Sequence, residues 1–281
     1  MPSTHSRRGA LLLCGAVLAS LAGCATRSDS TSKSSETPTD EATTDETPTT
    51  ETNVALRRVE VTPAVVSPNS PDSIGTFGER DEQFVIITLS DNGPFPEKGE
   101  FALTAGEATY DPAADDENTN FENGIWDYGE YQDVPENVLV FSVPKPLDAE
   151  SVELSWPDGS ESLGESALEA LNRPPTEFSV ELSAPDSVTG GEQATVTVTA
   201  ENVGDAPGTF VGALNRQGPL VAHTPVESVS LELDAGETKE WTHRFRSKAY
   251  YDVEDPEATF SLARRGERLS ATIAVDAETP S

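Results

Sequence analysis

Apolar and polar residues alternate along most of the chain beyond residue 53, and this period of two predicts β-strands. The alternation is most regular near the C-terminus, where turn residues separate the segments at intervals of about 8–12, a spacing typical of β-sandwiches. Seven segments carry it: Phe178–Leu182, Val196–Ala200, Phe210–Leu214, Val229–Leu233, Trp241–Phe245, Phe260–Leu262 and Leu269–Val275. The pattern predicts an antiparallel β-sandwich over residues 176–276.

The preceding part of the chain has a less regular version of the same pattern. Phe84–Ile87 is a continuous apolar run, as expected of a central strand, and Pro157-Asp158-Gly159 predicts a turn. Apolar residues alternate in four other segments: Val59–Val61, Phe101–Leu103, Val138–Val143 and Val152–Trp156. These segments predict another antiparallel sandwich over residues 54–172.

One helical pattern lies between the two predicted sandwiches. Leu163, Ala167, Leu168 and Leu171 recur at helical spacing, and Pro174-Pro175 ends the pattern. We expect one short helix there, followed by a stiff hinge. A chain of 281 residues is long enough for two domains. The predicted fold class is therefore all-β, with two sandwiches in tandem.

The first 24 residues have a different character. Arg7 and Arg8 precede an apolar stretch of about 15 residues, shorter than the ~20 that a membrane-spanning helix needs. The run Leu21-Ala22-Gly23-Cys24 then matches the lipobox of lipoprotein signal peptides, in which the cysteine thiol accepts the lipid. We predict a signal peptide over residues 1–23, lipid attachment at Cys24, and a location on the external face of the cell membrane.

The export route and the cysteine content follow from the same segment. Ser6–Leu11 resembles the twin-arginine export motif, which carries folded proteins, and an ordinary secretory signal with two arginines is the alternative. Cys14 would be lost with the signal peptide, which leaves Cys24 as the only cysteine. No internal disulfide is then expected, and the sandwiches must rely on their apolar cores.

Residues 24–53 contain almost no apolar side chains. Ser, Thr, Pro, Asp and Glu dominate, and the near copies Glu36–Glu41 and Glu46–Glu51 indicate low complexity. Such a segment cannot bury enough area to offset the entropy of ordering. We expect a disordered tether that holds the sandwiches away from the membrane.

The charge balance is strongly acidic, with 50 acidic residues against 18 basic ones and a net charge of −32. This charge repels nucleic acid and anionic lipid headgroups, and it excludes a basic patch. The acids are spread along the chain, which favours adaptation to high salt over a cation-binding surface. At ~1 M salt the screening length is roughly 3 Å, so like charges no longer oppose the folded state. The composition resembles that of haloarchaeal proteins.

Turn motifs in residues 176–276 point to a family. They are Gly190-Gly191-Glu192, Glu201–Asp205, Gly208-Thr209-Phe210 and Ala235-Gly236-Glu237. Their order resembles the CARDB domain, an immunoglobulin-like module named for cell adhesion in bacteria, and the resemblance implies a surface module. Asn202–Gly204 would supply a turn with positive φ. Residues 54–172 resemble, more loosely, the immunoglobulin-like domains of prokaryotic lipoproteins.

An acidic segment interrupts the first predicted sandwich. Asp116, Asn118, Asn120 and Asp127 echo the spacing of a calcium loop, but Phe121 occupies the position of the turn glycine. A solvated loop is the favoured alternative, so neither a metal nor a cofactor is predicted. The aromatic residues beyond it either form a binding surface or fold back onto the sandwich: Trp126, Tyr128 and Tyr131.

Few residues are suited to catalysis. After loss of the signal peptide only His223 and His243 remain, and His243 alternates with Trp241 and Phe245, as a packed side chain would. No nucleophile or phosphate-loop motif is present. We predict a non-catalytic binding or adhesion module for an unknown protein or glycan at the cell surface. The alternatives are a metal-dependent or carboxylate hydrolase centred on residues 111–136, or an accessory subunit of a transport or secretion complex.

Overall fold

A computed structural model describes residues 54–90, 95–113, 124–128, 134–248 and 253–276. All of them belong to one unit, Thr50–Ser281. Several predictions fall outside the described residues, and they stay predictions: the signal peptide, the lipid-acceptor Cys24, the tether, and the loop positions Asp116, Asn118, Asn120, Phe121 and Tyr131.

In the part of the chain described, the first sandwich region holds nine strands and one α-helix. The strands are β1 (Leu56–Thr62), β2 (Val65–Ser70), β3 (Ser73–Phe77), β4 (Glu82–Leu89), β5 (Ala102–Ala105), β6 (Ala108–Tyr110), β7 (Val138–Pro144), β8 (Val152–Trp156) and β9 (Gly159–Ser162). The predicted short helix is confirmed as α1 (Glu165–Asn172). Strands β2, β3, β6 and β9 were not predicted.

Two antiparallel sheets form the first sandwich, with strand orders β1-β4-β7 and β6-β5-β8-β9. Alternate residues of each sheet point into a shared core. Ile87 and Phe141 from one sheet meet Leu103 and Leu154 from the other, and Leu171 of α1 packs into the same core. The helix is amphipathic, and burial of its apolar face stabilises eight residues that would be too few for an isolated helix.

Strand β4 is buried on both faces. It lies between β1 and β7. Val85 and Ile87 face the sandwich core, whereas Phe84 and Ile86 belong to a separate apolar cluster that also contains Val65 of β2. The continuous apolar run therefore belongs to a central strand, as predicted.

Eight strands form the second sandwich. They are β10 (Phe178–Ser183), β11 (Ser187–Thr189), β12 (Gln193–Asn202), β13 (Gly208–Gln217), β14 (Thr224–Leu233), β15 (Thr238–Arg246), β16 (Glu257–Arg264) and β17 (Glu267–Asp276). Their sheet orders are β10-β12-β15 and β11-β17-β16-β13-β14. The seven predicted segments all lie within strands, and the all-β fold class is confirmed. The short β11 is additional and pairs in parallel with β17, an exception to the predicted antiparallel arrangement.

The turn after β12 has a different geometry from the one predicted. Neither Asn202 nor Gly204 has a positive φ. The buried Asn202 side chain instead donates to the carbonyls of Ala206 and Leu233, and its oxygen accepts a bond from the Gly204 N–H. A Cβ on Gly204 would clash with the Thr176 hydroxyl. The motif thus serves hydrogen bonding and close approach, and the positive-φ prediction is wrong.

The β2–β3 hairpin joins the two sandwiches directly. Ile74 of β3 packs with Val66 of β2 and with Ala213 of β13. The Asn215 amide donates to the Ile74 carbonyl at 2.9 Å, and its oxygen accepts from the Ile74 N–H at 2.8 Å. A side chain from the second sandwich therefore bonds to the hairpin as a neighbouring strand would. The two sandwiches are therefore in contact at a second place besides the predicted hinge at Pro174-Pro175.

Candidate binding site in the cleft between the sandwiches

A cleft of about 340 Å³ lies between the two sandwiches. Four basic side chains line it: Arg80, Lys145, Arg264 and Arg265. The acidic residues of the lining are Glu177 and Glu267. The cleft thus has an excess of two positive charges, although the whole chain has a net charge of −32.

Strand pairing brings these cations together from distant parts of the sequence. Arg80 lies in the turn before β4, and Lys145 directly follows β7. Because β4 and β7 are paired, the Lys145 N–H donates to the Asp81 carbonyl, next to Arg80. Arg265 comes from the β16–β17 turn of the second sandwich, where its N–H donates to the Thr76 hydroxyl at 2.9 Å.

Two of the four cations have carboxylate partners. Arg80 contacts Glu177 at 2.6 Å, and Arg264 contacts Glu267 at 2.6 Å. Both glutamates are more than half exposed, so each of these pairs is open to solvent on its acidic side. Such exposed pairs contribute little to stability, typically ~0–1 kcal/mol.

The other two cations have no carboxylate partner among the described residues. The Lys145 ammonium donates to the Gln83 side-chain oxygen at 3.2 Å. The Arg265 guanidinium donates to the Pro63 carbonyl at 3.2 Å. An ammonium has three N–H donors and a guanidinium has five, so these bonds leave donors unused.

The two cations without partners also perturb each other. Burial lowers the pKa of Lys145 to about 8, and the charges of Arg265 and Arg173 add to the shift. Burial also lowers the pKa of Arg265, and Arg80 adds to that shift, whereas the nearby Glu79 carboxylate opposes it. Partly desolvated like charges are unfavourable neighbours unless an anion neutralises them. Guanidinium and ammonium groups in such a place are suited to hold a carboxylate, sulfate or phosphate.

The two histidines lie elsewhere. His243 stacks on Trp241 with ring centroids 6.3 Å apart, and it also contacts Phe260. Burial lowers its pKa, and Glu227 partly opposes the shift. The interpretation of His243 as a packed side chain is confirmed. His223 lies just before β14, with Nδ1 3.3 Å from a carbonyl oxygen of the first sandwich.

The described part of the aromatic loop folds back onto the sandwich. Trp126 packs against the docked hairpin, and Tyr128 packs against the outer face of the β1-β4-β7 sheet. The Tyr128 hydroxyl lies 3.3 Å from Glu60, and its pKa is raised by burial and then by that carboxylate. Asp127 accepts a bond from Ser228 of the second sandwich at 2.5 Å. Within the described ranges, no group of three or more His, Cys, Asp or Glu is placed to hold a metal.

Sequence reasoning missed the basic residues of the cleft. The four lie at positions 80, 145, 264 and 265, and only the last two are neighbours. One signal was present: a chain with 18 basic residues among 281 carries an Arg264-Arg265 doublet directly before Gly266.

None of the helices in the described ranges is long and apolar enough to cross a membrane. Comparison with protein-family models finds no match, and comparison with curated proteins finds none either.

Several solved structures resemble a part of this chain. A β-glucosidase from Listeria innocua in complex with gluconolactone is 20% identical over 37% of this chain and 18% of its own, with a TM-score of 0.30. β-Glucosidase 3B from Thermotoga neapolitana in complex with glucose is 21% identical over 37% of this chain and 16% of its own, with a TM-score of 0.29. The chain therefore spans less than a fifth of these enzymes.

A third similar structure is the CARDB domain of a Pyrococcus furiosus protein in complex with di-metal ions. It is 14% identical over 37% of this chain and 96% of its own, with a TM-score of 0.28. It belongs to the family that the turn motifs of residues 176–276 resemble. With TM-scores this low, none of the three likenesses carries an argument about activity or ligand.

Proposed function

We propose that this protein is a non-catalytic binding module, held at the external face of the cell membrane by lipid on Cys24. The observation that carries the binding role is the cleft between the sandwiches, in which four cations converge on a strongly acidic chain. The described residues that line it include no histidine, cysteine or serine. Without a histidine to activate a hydroxyl or thiol, convergent charge favours binding over covalent chemistry.

The docking of the two sandwiches supports the same proposal. A binding site made from two domains needs a fixed distance between them. Here the bonds between Asn215 and Ile74 and the bond from Ser228 to Asp127 connect the sandwiches beyond the peptide linker. The module is therefore proposed to act as one unit, presented on the tether of residues 24–53.

The anchor is tested by expressing the full chain in a host that processes lipoproteins. Replacing Cys24 with serine removes the only thiol that lipid can modify, so the Cys24→Ser protein is expected in the soluble extracytoplasmic fraction. Cys14→Ser is the matched control, because that residue leaves with the signal peptide, and it is expected to stay with the membrane. A mature N-terminus other than residue 24 in mass spectrometry, or the absence of an acyl mass there, contradicts the proposal.

The binding role is tested separately with the full chain. It is mixed with purified envelope polysaccharide or surface-layer protein in ~1 M salt, where the screening length is roughly 3 Å and long-range attraction is removed. Saturable binding is expected. Hydrolysis of the polysaccharide would contradict a non-catalytic module.

A further inference from the structure

We infer that the cleft between the sandwiches binds an oxyanion of a small organic ligand, or of the end of a larger glycan, between Lys145, Arg265 and Arg80. This inference rests on the proposed binding role and names the ligand class. The shared chemistry is a carboxylate, sulfate or phosphate group with oxygen acceptors.

The sign of the charge in the cleft favours an anionic ligand. The chain has almost three acidic residues for each basic one, so a surface cleft of average composition would be negative. The lining has the opposite balance, with twice as many cations as carboxylates. Low-dielectric walls around one sign of charge concentrate ligands of the other sign.

Unused N–H donors in the cleft also favour an oxyanion. Glutamates pair with Arg80 and Arg264, whereas Lys145 and Arg265 bond only to neutral oxygens within the described part of the chain. The Arg264 Nε is buried and has no hydrogen-bond partner there. An incoming oxyanion would accept from these N–H groups and would neutralise two cations that repel each other.

The size and the mixed lining of the cleft fit a small organic ligand. A volume of about 340 Å³ lies in the range of small-molecule sites, roughly 300–1,000 Å³, and exceeds what a single halide ion would fill. Besides the charged residues, the lining includes Phe178, Thr209 and Phe210. A charged group attached to a compact carbon skeleton, such as an acidic sugar, fits this mixture.

A purely structural role of the cations is the competing explanation. It applies best to Arg265, because the bond from its guanidinium to the Pro63 carbonyl connects the two sandwiches. It applies least to Lys145, whose side-chain bond goes to Gln83 of the same sandwich. Lys145 is therefore the residue at which binding and stability can be separated.

The experiment measures binding of sodium glucuronate, sulfate, phosphate and glucose to the full chain by equilibrium dialysis. A background of ~1 M sodium chloride limits screening to roughly 3 Å, so only direct contacts contribute. Glucose is the neutral counterpart of glucuronate. Lys145→Met removes the charge and keeps a side chain of similar length. Lys239→Met is the matched control, because Lys239 lies on β15, pairs with Glu237 and is not part of the cleft lining.

We expect at least one oxyanion to bind saturably and glucose not to bind. Glucuronate binding would identify a carboxylate ligand, whereas binding of sulfate or phosphate alone would identify a tetrahedral one. Lys145→Met should bind at least about tenfold more weakly, Lys239→Met within about twofold of the original, and Lys145→Arg within about threefold. The melting temperature of unliganded Lys145→Met should change little, because the variant removes a desolvated charge beside like charges but also the donor to the buried Gln83 oxygen.

Three results would overturn the inference: no saturable oxyanion binding to the original chain, equal affinity of the Lys145→Met and Lys239→Met variants, or binding of glucose as tight as that of the best oxyanion. If Lys145→Met does not fold, Lys145→Gln and Lys145→Arg take its place, and equal affinity of those two overturns the inference as well. None of these results touches membrane retention through Cys24 or saturable binding to an envelope component, so failure here is distinguishable from failure of the proposed function.

Discussion

Two parts of the contact between the sandwiches differ in how their polar groups are satisfied. In the docked hairpin, the buried Asn215 amide and the Ile74 backbone satisfy each other, amid apolar neighbours. In the cleft, Lys145 and Arg265 are partly buried, and among the described residues their side chains hydrogen-bond only to neutral oxygens. The first arrangement is what stability requires, and the second is costly unless a ligand completes it. The hairpin contact therefore holds the two sandwiches together, and the cleft is the surface proposed to bind an oxyanion.

The largest expected effect comes from the docked hairpin. Asn215→Ala leaves the Ile74 N–H and carbonyl buried without partners, at ~1–3 kcal/mol each, so urea unfolding should show a loss of about 2–6 kcal/mol. Asn172 is the matched control, because it makes the same pair of bonds to the Ala149 backbone within the first sandwich and is half-buried. Asn215→Ala should also weaken oxyanion binding, whereas Asn172→Ala should not. A loss below about 1 kcal/mol for Asn215→Ala would show that the amide does not hold the domains.

A smaller effect is expected from the apolar part of the same contact. Ile74 is fully buried, and Ile74→Val should lower the free energy of unfolding by about 0.5–1.5 kcal/mol. Ile273→Val removes the same group from the core of the second sandwich, which is also fully buried. The two variants should lose similar stability in urea titrations, but only the Ile74 variant should change oxyanion affinity. Equal binding by both would mean that the cleft does not depend on the hairpin.

The smallest expected effect is the pH dependence that Lys145 adds to stability. Its pKa is lowered to about 8 in the folded chain by burial and by Arg265 and Arg173, with the neutral Gln83 as its hydrogen-bond partner. Above about pH 8 the folded chain has released a proton that the unfolded chain keeps until about 10.4, so stability should rise with pH across this window. The rise should be lost in Lys145→Met and reduced by a saturating oxyanion, which favours the charged form.

Differential scanning calorimetry of the original chain and Lys145→Met between pH 7 and 10 measures this difference, since the titrations of other groups cancel. A difference that stays constant across the window would mean that Lys145 keeps an ordinary pKa. A difference of the opposite sign would mean that a carboxylate pairs with it in solution.

The strands were predictable wherever one face of a sheet is buried and alternation is strict. Strand β2 was not, because its Ser67, Pro68 and Asn69 have the composition of a turn, and its conformation depends on pairing with β3 and on contact with the second sandwich. The role of Asn202 was correctly placed in a turn but wrongly assigned to backbone conformation, since hydrogen bonds to residues four and 31 positions away are not visible in a local motif.

The cleft was beyond sequence reasoning for a related reason. Lys145 and Arg265 are 120 positions apart, and their proximity follows only from the β4–β7 pairing and the docking of the β16–β17 turn. No local periodicity encodes such a meeting. The charge composition pointed away from a basic cleft, because a net charge of −32 for the whole chain conceals a small region of opposite sign.

The Asn215–Ile74 contact also constrains the order of folding. A two-stranded ribbon alone is marginal in water. Residues 65–77 also pack against β4 through Val65, but their partner in the second sandwich becomes available only after residues 208–217 have been synthesised and have entered their sheet. During translation the strand that carries Asn215 is synthesised more than 130 residues after the hairpin. The contact between the hairpin and the second sandwich therefore forms only after both parts of the sequence have been synthesised.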